Sequence, residues 1–147
     1  MDMSGEYRID ASIDVVWAAI QNPDILLEAI PGCEELTKIS ETGMAAKVAL
    51  KIGPVKAKFA GEVELKDLKA PNSLKIQGEG KGGIAGFAKG GADVHLAEDG
   101  KETILSYTAS AQVGGKIAQL GSRLIQSTAA KLADKFFANL KDQLAIK

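Results

Sequence analysis

From Ala46 to Leu65, apolar and polar side chains trade places at nearly every step, and this stretch constrains the fold more than any other. Val55, Ala57, Phe59, Gly61, Val63 and Leu65 alternate with Lys56, Lys58, Ala60, Glu62 and Glu64; upstream, Ala46, Val48, Leu50 and Ile52 alternate with Lys47, Ala49 and Lys51. A period of two belongs to a strand with one buried and one wet face. Antiparallel sheets are the ones that tolerate a wet face. Gly53-Pro54 supplies turn chemistry between the two runs, so the segment reads as a hairpin.

The pattern returns downstream. Ala88, Gly90, Ala92, Val94 and Leu96 alternate with Lys89, Gly91, Asp93, His95 and Ala97; after a turn at residues 98–101, Thr103, Leu105, Tyr107, Ala109, Ala111 and Val113 share one face. Shorter runs at Tyr7–Ala11, Glu35–Ser40 and Leu74–Gly78 bring the total to roughly seven strands with hairpin-length connections. Ser12 and Asn22 are placed to cap two short helices, Ile13–Ile20 and Pro23–Ala29, with Pro23 at the first helical position. From Lys116 to Leu144, apolar residues at Ile117, Leu120, Leu124, Ile125, Thr128, Leu132, Phe136, Leu140 and Leu144 keep the spacing of an amphipathic helix. Unbroken, that helix is about 40–45 Å long and overhangs a strand of about 27 Å. Gly121 inside it costs ~1 kcal/mol of propensity relative to Ala, which implies a spatial reason for its presence. With no repeat and no linker, residues 1–147 read as a single α+β domain: a curved antiparallel sheet on a long C-terminal helix.

The inward positions of that sheet are small: Ala46, Ala57, Gly61, Gly78, Ala88, Gly90, Ala92, Ala109 and Ala111. Interiors pack to ~0.75 density. Either the helix settles closely onto these residues, or a cavity remains for an apolar ligand. Composition alone leaves both open.

Several function classes are excluded. Eighteen basic and 19 acidic residues give a net charge of −1, which is no footprint for nucleic acid. The single cysteine, Cys33, excludes an internal disulfide and a cysteine-rich zinc site, and no other metal-ligating constellation is evident. The polar, acidic N-terminus is no secretory signal, and no apolar run approaches the ~18 residues of a membrane span; the expectation is a cytoplasmic protein. The glycine-rich run at residues 78–87 lacks the Lys-Ser/Thr ending of a phosphate loop. It reads as a flexible hairpin connection, with Ile84 and Phe87 as candidates for a movable lid. His95, the only histidine, shares parity with Lys89 and Asp93 on the wet face. It therefore cannot serve a nucleophilic set inside the sheet.

The strings SIDVVW at Ser12–Trp17, AIPGCEEL at Ala29–Leu36, KIGPVKAKFAGEVEL at Lys51–Leu65 and the segment Gly114–Leu140 resemble the CoxG family of carbon monoxide dehydrogenase accessory proteins. That family lies within the START/polyketide-cyclase-like (SRPBCC) superfamily of helix-grip folds. The resemblance implies a non-catalytic accessory to an aerobic molybdenum CO dehydrogenase or related hydroxylase, with peripheral contact at the inner face of the cell membrane. It also implies a quinone or lipid-like ligand rather than a tightly bound cofactor. The ligand contacts expected on this basis are Ile30, Phe59, Val63, Ile76, Ile84, Phe87, Tyr107, Leu120, Leu124 and Thr128, with Tyr107 and Thr128 as polar partners for a ring carbonyl. Longer relatives append a linker and an amphipathic segment. Docking through such a tail is not expected of these 147 residues, and the adjacent Phe136 and Phe137 are candidates for a substitute patch. Two rival readings are a cyclase or dehydratase, which needs inward titratable groups beyond Tyr7 and Tyr107, and an assembly factor without a ligand.

Overall fold

The computed structural model describes residues 1–145. In chain order its elements are β1 (Asp2–Ile9), α1 (Ile13–Ala19), α2 (Pro23–Ala29), β2 (Cys33–Lys38), β3 (Gly43–Ile52), β4 (Val55–Lys69), β5 (Ser73–Lys81), β6 (Phe87–Asp99), β7 (Glu102–Gly114) and α3 (Ser122–Ala145). Short 3-10 turns occupy Gly83–Ala85 and Lys116–Leu120. The seven strands form one antiparallel sheet in the order β1-β7-β6-β5-β4-β3-β2. It is a meander from β2 to β7, and β1 returns to the free edge of β7. The α+β architecture expected from the alternation is the one observed.

Local chemistry accounts for the element ends. The Ser12 hydroxyl accepts a hydrogen bond from the Val15 amide at 3.4 Å, and Asn22 Oδ1 accepts one from the Asp24 amide at 3.0 Å. Each satisfies a donor that the first helical turn would otherwise orphan. In β4 the register shifts between Lys66 and Lys69, with Asp67 at φ +50°; such a bulge bends a strand and increases its twist.

The C-terminal helix differs from the expectation of one continuous rod from Lys116. Residues 116–120 form a 3-10 turn, Gly121 takes φ +94° and ψ 147°, and α3 begins at Ser122. That backbone conformation is open to glycine and strongly disfavoured elsewhere, which is the spatial reason for Gly121. The remaining 24 residues make a helix of about 36 Å.

Two separate apolar clusters hold the layers together. The larger joins Ile9, Ile13, Val16, Ala19, Ala29, Leu65, Leu74, Val94, Leu96 and Leu105 to Phe137, Leu140 and Leu144 of α3. Fully buried Thr103 belongs to the same end; its hydroxyl donates to the Ala11 carbonyl at 2.8 Å. The smaller consists of Val55, Phe59, Ala85 and Ile117, flanked by Leu50, Ile52, Ala57, Val113 and Leu120. Asn139 Nδ2 donates to the Ala29 carbonyl at 3.0 Å, which ties α3 to α2.

Candidate ligand-binding cavity

Between the two clusters the sheet and α3 do not meet. A cavity of about 460 Å³ lies there, within the ~300–1,000 Å³ typical of small-molecule sites. Its sheet side is made by Ala46, Val48, Leu50, Ile52, Phe59, Gly61, Val63, Gly78, Gly80, Ala88, Gly90, Ala111 and Val113. The opposite wall is Ile125, Thr128, Ala129 and Leu132 of α3, and Met1, Ile30 and Ile117 close the ends. The hollow follows from the small residues. Ala46 pairs with Gly61, Gly78 with Val63, Gly90 with Gly78, and Ala111 with Gly90, so a band of minimal side chains crosses five strands at one height. Several of these glycines also sit against backbone: a Cβ on Gly61 would crowd the Glu79 carbonyl, and one on Gly90 would crowd that of Ser110. Gly78 has ordinary van der Waals room for a side chain.

The chemistry of the lining is almost wholly apolar. Thr128 contributes its only side-chain hydroxyl. Glu62, Glu79 and Lys89 touch the site, but all three are exposed and lie on the outward phase of their strands. The Cys33 thiol lies outside the lining. Burial pushes its pKa up, a hydrogen bond to the Glu35 carbonyl opposes this, and the Glu34 carboxylate adds to the rise; an activated nucleophile needs the reverse. Among the described residues no group of three or more His, Cys, Asp and Glu side chains is placed to hold a metal ion. His95 is exposed on the outer face. The remaining concavities, such as the one bounded by Lys75, Gln77, Asp93 and Thr108, lie on that polar outer face.

Of the ten contacts expected from the sequence, Ile30, Phe59, Val63 and Thr128 line this cavity. Ile76 and Tyr107 share its face of the sheet but pack against the larger cluster. The Tyr107 ring stacks on Phe137 with centroids 5.8 Å apart, away from any carbonyl a ligand would present here. Leu120 packs on the smaller cluster, and the Leu124 side chain lies against Gly53. Ile84 is 91% exposed and Phe87 is 39% exposed, so neither lies over the cavity as a lid. Phe87 pairs with Gly114 on the outward phase of β6, one residue before inward Ala88. The expected Phe136-Phe137 docking patch is corrected as well. Phe137 is buried between the rings of Tyr7 and Tyr107, and Phe136 is half-buried with its edge against Phe137. Ile125, Ala129 and Leu132 line the cavity without having been expected to; their signal is the breadth of the apolar stripe on α3.

The sequence model of the carbon monoxide dehydrogenase family CoxG matches residues 5–145. The chain belongs to the CoxG family. A crystal structure of a conserved protein from Geobacillus kaustophilus is similar to this CoxG-family chain at 32% identity and a TM-score of 0.93, covering 99% of this chain and 95% of that one. A START superfamily protein from Mycobacterium smegmatis superposes with a TM-score of 0.74 at 11% identity, over 97% of this chain and 95% of its own. Ara h 8.0201 does so with a TM-score of 0.66 at 10% identity, over 100% and 99%. At such identities the likeness is one of fold: this CoxG-family chain has the START-like arrangement of a curved sheet gripping a C-terminal helix. Among curated proteins none matches the chain. No helix among the described residues is long and apolar enough to cross a membrane.

Proposed function

We propose that this protein is a non-catalytic carrier for an apolar amphiphile, an isoprenoid quinone or a lipid of similar shape, and that it serves as accessory to a carbon monoxide dehydrogenase-like molybdenum enzyme. The observation that carries the reading is the cavity of about 460 Å³ lined by aliphatic side chains and glycines, with one hydroxyl and no inward charge. Apolar burial at ~25 cal/mol per Å² supplies the affinity, and Thr128 is the one side chain of the lining able to hydrogen-bond a ring carbonyl or ester. Family membership supports the accessory role. A cyclase or dehydratase would need an acid or base aimed at the ligand, and this lining offers neither.

Native mass spectrometry of the protein, followed by organic extraction, tests the carrier role. The expected result is a bound amphiphile, or stoichiometric uptake of added short-chain quinone. Gly78→Leu, which projects a side chain into the hollow from a position with room for its Cβ, is expected to abolish uptake while leaving the thermal midpoint unchanged or raised. Protein that stays empty in both measurements, or a Gly78→Leu variant that still loads fully, sinks the reading.

A further inference from the structure

One end of the molecule departs from the rest in charge and in apolar exposure. It is built from the Gly53-Pro54 turn, the loop around Gly83–Ala85, and the segment from Gly114 into the first turn of α3. These pieces are packed together: Ala85 sits with Val55, Phe59 and Ile117 in the smaller cluster, Gly53 abuts Leu124, and the backbones of Gly86 and Gly115 touch. Residues 51–56, 81–87 and 114–123 carry Lys51, Lys56, Lys81, Lys116 and Arg123 and no Asp or Glu, although the chain as a whole is slightly acidic. All five cations are exposed. Ile84 stands out from the same end as the most exposed large apolar side chain, with half-covered Phe87 beside it. Gly83 at φ +62° and Gly86 at φ +114° shape the tight loop that presents it.

We propose that this end docks on an anionic lipid bilayer, with Ile84 and Phe87 inserted at the headgroup boundary and the five cations among the headgroups. Resting on the carrier reading, we further infer that the cavity exchanges its amphiphile here. Electrostatic attraction and an apolar anchor are the two signals that together hold a protein at a membrane surface where one alone does not. A protein partner fits less well, because protein interfaces are depleted in lysine at their cores and call for a broader apolar patch than one protruding isoleucine. Phe59, Val113 and Ile117 belong both to the packing beneath this end and to the cavity lining, so the bilayer and the hollow face opposite sides of one thin layer of side chains. An amphiphile of this kind partitions into bilayers rather than water, and a carrier that collects it needs its hollow close to a docked surface.

Co-sedimentation of the full chain with vesicles of pure phosphatidylglycerol and of pure phosphatidylcholine tests the surface. Binding is expected to the first and not the second, and to weaken with salt. Ile84→Asp is expected to reduce it at least about ten-fold. The double variant Lys51→Glu, Lys116→Glu should do the same, whereas Lys101→Glu, at the opposite end of β6, should leave it unchanged. Failure of the wild-type protein to bind phosphatidylglycerol, or equal binding by the Ile84 and double-lysine variants, overturns the proposal. So does binding that Lys101→Glu weakens equally. The two readings fail separately. Loss of vesicle binding with normal quinone uptake removes the docking surface alone, and an empty cavity with normal vesicle binding removes the carrier role alone.

Discussion

Tyr7 joins β1 to α3 through its ring and its hydroxyl. The ring stacks on Phe137 with centroids 4.1 Å apart, Lys141 Nζ stands 5.8 Å from its centroid, and the hydroxyl donates to Asp134 Oδ1 at 2.5 Å. Burial first, then the bond to Asp134 and the nearby Tyr107, hold its phenol well above the ordinary tyrosine value. The folded chain therefore keeps a proton that the unfolded chain releases near pH ~10. Stability from this group is fully present below that pH and falls as the pH rises beyond it. Thermal melts of Tyr7→Phe against the wild type, from neutrality to about pH 11, should show the alkaline loss shrinking in the variant. Equal loss in both proteins would assign the alkaline transition to other groups.

At the scale of elements, the helix break at Gly121 is an equally direct target. A methyl group there meets nothing within 4 Å, so the cost of Gly121→Ala is conformational alone. About 1–3 kcal/mol should be lost in urea unfolding, with an unchanged slope. The sheet was legible because alternation needs only the local chain: Val55 to Leu65 and Thr103 to Val113 lie on the faces that their parity assigns. Height along a strand is another matter. Ile76 and Tyr107 have the same inward phase as Val63 and Ala111, yet they lie one level nearer the larger cluster, because α3 descends onto the sheet at Phe137 and Leu140. No local pattern states where a helix far along the chain touches down. Phe87 could have been placed correctly, since its own alternation puts it in phase with Lys89. On α3, the three-four spacing identified the stripe without saying which edge of it faced the hollow. Ile125 and Leu132 were thus visible as apolar positions but not as walls.

On the scale of the whole molecule, the band of small residues divides the interior. A broad cluster of large side chains stands at one end and a group of four buried residues at the other, with the cavity between. Five of the seven glycines with positive φ, at positions 53, 83, 86, 115 and 121, belong to the smaller end. Cooperative unfolding units follow contiguous packing, and here the packing is interrupted. Native-state hydrogen exchange should accordingly show two free-energy levels. Amides of Ala85 and Ile117 should exchange through a cheap partial opening, and those of Val16 and Leu105 only with global unfolding. Uniform protection across all four would mean that the halves melt as one.

The interruption has a mechanical consequence. A solid core transmits any local disturbance to the whole domain, whereas a hollow insulates one nucleus from the other. The basic end can loosen, admit a guest and re-form while the distant nucleus, clasped by α1, α2 and the last turns of α3, registers nothing. In that sense the void works as a compliant joint as well as a container.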